Sequence, residues 1–146
     1  MKADNKTEKE VMVVWNKFFK AYAARDIDSL LATMSSDSSI VALGTGSDER
    51  RVGMDEIKAQ IERDWAQSEA VAVEITWSQV SAAGMVAWIA SEGIFTAKIG
   101  GKKVDFPGRF SAVLQKQKGK WLLMQTHFSF IEAGQAVGES FPAGQS

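Results

Sequence analysis

Two hydrophobic periods divide the chain. From Val11 onward, Val11, Val14, Trp15, Phe18, Phe19 and Tyr22 recur at helical spacing, a wide apolar stripe on an amphipathic helix. Thr7 and Glu10 have the spacing of a capping box and predict where that helix starts. Asp26 is placed to cap a short second helix through Met34, with Ile27, Leu30, Leu31 and Met34 inward. The polar run Ser35-Ser36-Asp37-Ser38-Ser39 breaks it, and Ile40 to Leu43 reads as a short strand. Gly44-Thr45-Gly46-Ser47-Asp48 reads as a loop without the Lys-Ser/Thr of a phosphate loop. Asp48-Glu49-Arg50-Arg51 reads as solvated loop, and a third helix follows with Met54, Ile57, Ile61 and Trp65 on one side.

After residue 70 the period falls to two. Val71, Val73, Ile75 and Trp77 alternate with Ala72, Glu74 and Thr76, the pattern of a strand with one buried face. Turns at Ala83-Gly84, Gly100-Gly101 and Lys118-Gly119 delimit three more strands, from Met85 to Ile99, Lys103 to Gln117 and Trp121 to Ile131. A bulge or bend is expected at Pro107-Gly108. Helices followed by an antiparallel meander imply an α+β fold with the helices on one sheet face. Residues 1–7 read as a flexible N-terminus, 8–131 as the folded domain, and 132–146 as a loosely held tail rich in Gly, Ala, Ser and Gln.

A chain of 146 residues fits one domain. Its 45% hydrophobic and 24% charged residues exclude global disorder. A formal charge of −1 gives no electrostatic footprint for nucleic acid. The lysines at the hairpin ends, Lys98, Lys102, Lys103, Lys116, Lys118 and Lys120, read as blunting of strand edges. No apolar run is long enough for a membrane helix. The polar start lacks the apolar stretch of a secretory signal, so a cytoplasmic location is expected. With no cysteine, a disulfide, a thiol nucleophile and a thiolate metal site are excluded, and one histidine cannot supply the usual zinc set. No cofactor or metal is expected.

The order of elements, together with Ala87-Trp88-Ile89, Arg109-x-Ser111-x-Val113, Gly119-Lys120-Trp121 and His127-x-Ser129, resembles the nuclear transport factor 2-like superfamily. Its SnoaL-like branch, including domains similar to the calmodulin-dependent kinase II association domain, is the nearest in pattern. The resemblance covers roughly residues 8–131. It implies three N-terminal helices packed on a curved, mainly antiparallel sheet that forms a cone with a pocket at its open end. Such pockets serve isomerases, cyclases, dehydratases, hydrolases, binders and assembly modules, so fold alone does not select the function. Two departures stand out. Ala112 and Gln125 occupy positions where the kinase association domain has Arg and His, and the Asp-Arg-Asp set of limonene-epoxide-type hydrolases and the His-Asp dyad of polyketide cyclases are not evident.

Residues two apart in a strand share a face. Arg109 and Ser111 therefore share one, as do Gln125, His127 and Ser129. If these faces turn inward, as the resemblance implies, their polar groups converge in a mostly apolar small-molecule pocket. His127 suits general acid–base chemistry or a structural hydrogen bond. Glu92, isolated in an apolar strand, reads as a second base, an outer-face residue or the partner of Arg109. Arg109 reads as an oxyanion ligand or as that ion pair. Trp15, Tyr22, Trp65 and Trp88 are aromatic candidates for the lining, against a core role. The functional expectation is a small-molecule-binding protein for an apolar or weakly anionic ligand. The alternatives are a cofactor-free isomerase, lyase or hydrolase using His127 or Glu92, and a homo-oligomeric association module. Apolar residues on both parities of the strand from Met85 to Ile99 predict a homodimer built on the outer sheet face.

Overall fold

The computed structural model describes residues 1–144. Three helices, α1 (Asn5–Ala24), α2 (Ile27–Leu31) and α3 (Met54–Ala66), accompany six strands. The strands are β1 (Val41–Leu43), β2 (Arg50–Val52), β3 (Ala70–Ala83), β4 (Val86–Ile99), β5 (Lys102–Gln117) and β6 (Lys120–Phe130). They form one sheet in the order β2-β1-β6-β5-β4-β3. All neighbours are antiparallel except β1 and β6, which run parallel, so the sheet is mixed.

The helix stripes and the meander lie where periodicity puts them. The boundaries differ at three places. Asp4, not Thr7, is the N-cap of α1: its carboxylate accepts the Thr7 N–H at 2.7 Å, which makes Thr7 the third helical residue. Asp carries the same capping oxygen and stands three residues earlier. Asp26 caps α2 as expected, accepting from the Ser29 N–H at 3.1 Å, but α2 stops at Leu31 and Met34 instead bridges to Leu123. Arg50 and Arg51, read as loop, instead form β2 with Val52, which pairs with β1 and closes a hairpin at the sheet's edge. The first residues, expected to be flexible, extend along β3. Ala3 N–H donates to Val80 O, Ala82 N–H donates to Met1 O, and Ala3 is buried. Residues 132–144 form no helix or strand, and the last two residues of the expected tail lie outside the described residues.

Strand irregularities decide which side chains face the helices. Between Ile75 and Trp77 the β3–β4 register shifts by one residue. Val71, Val73 and Ile75 consequently pack toward the helices, whereas Trp77, on the same apparent parity, turns outward and is 49% exposed. A second shift places Met124 as an extra residue between Val113↔Gln125 and Leu114↔Leu123. No shift occurs at Pro107-Gly108, where a bulge was predicted: β4 and β5 pair continuously through Ile94↔Pro107 and Gly93↔Gly108. Pro107 accepts from the Ile131 N–H, so its missing N–H points to the same side, past the last β5–β6 pair, and breaks no ladder bond. Gly93 and Gly108 face one another because a Cβ on either would meet backbone, the Glu74 carbonyl oxygen at one and the Ser129 carbonyl oxygen at the other. The Phe110 ring covers the gap.

The core lies between the sheet's inner face and α1. Trp15 stacks on Phe18 and Phe128 at centroid distances of 5.8 and 6.2 Å and meets Phe19 edge-on at 4.5 Å. Its indole N–H donates to Ser91 Oγ at 3.3 Å, and Ser91 donates in turn to the Phe110 carbonyl. Each such buried ring contributes about 2–3 kcal/mol by area alone. Among the described residues no helix is long and apolar enough to cross a membrane.

Candidate functional site

The core does not fill the space under the sheet. A cavity of about 280 Å³ remains, walled by α1 (Phe18, Phe19, Tyr22), α3 (Ile57, Ile61) and inward residues of the sheet (Val71, Val73, Phe95, Phe106, Phe128, Phe130). Helical spacing brings the α1 residues to one face, and strand alternation does the same for Phe128 and Phe130. Thr45, Gln67 and Ile99 are exposed members of the lining and mark its mouth.

One end of this apolar space is polar. Tyr22 Oη donates to Asp64 Oδ2 at 2.8 Å. Arg51 Nε donates to Gln60 Oε1 at 3.0 Å. Arginine has no acceptor, so this bond fixes the Gln60 amide with its NH₂ toward the carboxylates. Gln60 Nε2 donates to Asp64 Oδ1 at 2.7 Å and to Glu49 Oε1 at 3.0 Å. Arg63 closes the outer side, reaching Glu49 at 3.2 Å and Asp48 at 2.8 Å. Burial pushes the Asp64 carboxyl above its ordinary range, partly offset by the bonds from Tyr22 and Gln60. Burial and the neighbouring Asp64 charge push the Tyr22 phenol far above its usual value.

The polar residues singled out in the sequence lie on the other face. Glu92 and Arg109 are direct cross-strand partners joined by an ion pair at 3.0 Å, with side chains 44% and 67% exposed. This is the Arg109–Glu92 pairing that the sequence left open as an alternative. Arg109 stands opposite Ser129, and Ser111 opposite His127, so Arg109 and His127 are one diagonal step apart rather than directly opposed. With Trp77 these residues line an open depression on the outer face. They do converge, but they do not enter the inner cavity. Gln125 is also exposed, beside this group and outside the depression. The inward expectation fails because strand alternation puts Phe110, Thr126 and Phe128 toward the core and their polar neighbours out.

The aromatic candidates separate as well. Trp15 is fully buried core and is not part of the cavity wall. Trp65 donates its indole N–H to the Tyr22 carbonyl at 3.0 Å and braces the wall from behind. Trp88 is half-buried in the outer face, on the parity of Glu92. Of the candidates only Tyr22 lines the inner cavity. Asp64, Gln60, Glu49 and Arg51 were missed. Two of them carried a signal: Gln60 and Asp64 stand three and seven residues after Ile57, on the apolar stripe of α3, where a polar residue needs a reason.

Comparison with known proteins places this geometry. The family model of the SnoaL-like domain matches residues 11–133. No curated protein sequence matches the chain. Among solved structures, a candidate dehydratase of the NTF2-like family from Streptomyces avermitilis has a TM-score of 0.81 at 16% identity, covering 89% of this chain and 100% of that one. A candidate aromatic ring hydroxylase from Novosphingobium aromaticivorans reaches 0.80 at 18% identity, covering 89% and 92%. A candidate calcium/calmodulin-dependent protein kinase II association domain from Xanthomonas campestris reaches 0.76 at 25% identity, covering 90% and 95%. With its sheet, its helix stripes and the match over most of its length, the chain belongs to the SnoaL-like domain family and has the fold of NTF2-like structures.

Proposed function

We propose that the chain binds a small, mainly apolar molecule inside the cone-like enclosure formed by the sheet, α1 and α3. The observation that carries this reading is the cavity itself: about 280 Å³ of aromatic and aliphatic wall with a polar cluster at one end. That combination is the usual make-up of a small-molecule site. An apolar cavity of roughly half that volume suffices for benzene. Any acid–base step at this site falls to Asp64, Glu49 and Tyr22, since Glu92 and His127 line the outer depression. The structures named as a dehydratase and a ring hydroxylase share the fold, which supports an internal site without naming its ligand. Calorimetric titration with ethylbenzene tests the reading. Saturable binding that disappears in Val73→Phe, a variant that fills the cavity, supports it. Equal binding by both proteins contradicts it.

A second reading rests on the outer face. Trp77 and Val86 are exposed there beside Trp88 and Ile94, with no described element over them. Pairing of two copies through this face buries that patch, and the association domain from Xanthomonas campestris is a structural relative named for assembly. Sedimentation of the chain and of Trp77→Glu tests it: a dimer reduced to monomer by the substitution supports the pairing, and a monomer in both cases overturns it.

A further inference from the structure

We infer that the inner cavity selects a compact hydrophobic amine, held as its ammonium ion at Asp64, and rejects carboxylates. The inference rests on the small-molecule reading of the same cavity and names its ligand class. Counting protons at the polar end gives the argument. Tyr22 has one hydroxyl proton, and Asp64 Oδ2 takes it. Gln60 has two amide protons, and Asp64 Oδ1 and Glu49 Oε1 take both. Arg51 spends its Nε proton on Gln60, while its four Nη protons make no hydrogen bond among the described residues, Nη2 standing 3.9 Å from Asp48.

The donors of the Tyr22–Gln60 relay are therefore committed. Acceptor capacity is left over, because each carboxylate oxygen of Asp64 has a second lone pair and so has Tyr22 Oη. The charge agrees with this count. The charged residues of the lining are Glu49 and Asp64 against Arg51, two negative to one positive. A ligand head that brings protons and positive charge meets the free acceptors of Asp64, whereas a carboxylate meets two others with Arg51 alone to set against them. The Thr126 hydroxyl, which also lines the cavity, donates or accepts equally and does not alter the choice. The rings of Phe18, Phe95 and Phe128 then take the hydrocarbon part, and ring faces tolerate a neighbouring cation.

The test uses four ligands on one skeleton, titrated into the unaltered chain at neutral pH: ethylbenzene, phenethyl alcohol, phenethylamine and phenylacetate. Phenethylamine is expected to bind about tenfold tighter than ethylbenzene, the size of one charge-assisted hydrogen bond. Phenethyl alcohol is expected in between and phenylacetate below ethylbenzene. Asp64→Asn is expected to erase the amine's advantage over ethylbenzene. Phenylacetate binding as tightly as ethylbenzene, or an amine with no advantage, overturns the inference and leaves the cavity reading intact. Failure of all four to bind overturns both.

Discussion

The two faces of β5 and β6 use adjacent residues for opposite purposes. On the inner face, Phe110 packs against Phe19 of α1, and Thr126 and Phe128 border the cavity, whose Tyr22, Gln60 and Asp64 side chains hydrogen-bond one another. On the outer face, Ser111, His127 and Ser129, one residue away, stand in an open depression beside an exposed ion pair. A polar group costs little where water reaches it and must be partnered where water does not. The inner cluster thus has the more demanding chemistry although its residues are the less conspicuous in sequence.

Neighbouring substitutions on one strand break or sharpen this contrast most strongly. Phe110→Ala is expected to cost about 3–5 kcal/mol, because a fully buried ring leaves a cavity over the glycine pair. Ser111→Ala, next to it but exposed, is expected to stay within about 0.5 kcal/mol. Urea unfolding of the two variants measures both. Gly93→Ala is expected to cost about 1–3 kcal/mol, since the added carbon meets the Glu74 carbonyl in the sheet. Thermal unfolding reads that loss.

Asp64 sharpens the contrast through pH. Its folded pKa is raised, so its favourable contribution is complete below the ordinary carboxylate range, near 4, and is lost as pH rises through the folded value. The stability of Asp64→Asn relative to the parent is therefore expected to rise from acid to neutral pH. Denaturation at a series of pH values checks the sign. Another small effect belongs to the outer face: Arg109→Ala is expected to change stability by less than about 1 kcal/mol, because its ion pair is well exposed. Denaturant unfolding with and without added salt measures it.

The helix stripes, the hairpin turns and the meander were legible from spacing. So was the choice of faces in β6, where Phe128 and Phe130 alternate with His127 and Ser129. The inward placement of the polar set came from family resemblance and overrode that simpler alternation. Trp77 was not legible, because a one-residue bulge reverses parity without a marker in the side chains. Arg50–Val52 was too short and too charged to show a strand period, yet it delivers Arg51 to Gln60. Gln60 and Asp64 were legible as breaks in the α3 stripe. That Tyr22, itself named as a lining candidate, and Glu49 are their partners was not legible, since contact between distant segments is a property of the fold and leaves no local pattern.

The chain contains one tyrosine and one histidine, and they report on opposite faces. Tyr22 lines the inner cavity and His127 the outer depression. Protein labelled only on its tyrosine and histidine rings gives one resolved reporter for each site. Titrating phenethylamine while recording both ring signals is the direct test of where a small molecule goes. The expected result is a saturable shift of the Tyr22 ring with the His127 ring unmoved. A saturable shift of His127 with Tyr22 unmoved would place the ligand on the outer face and contradict the internal site.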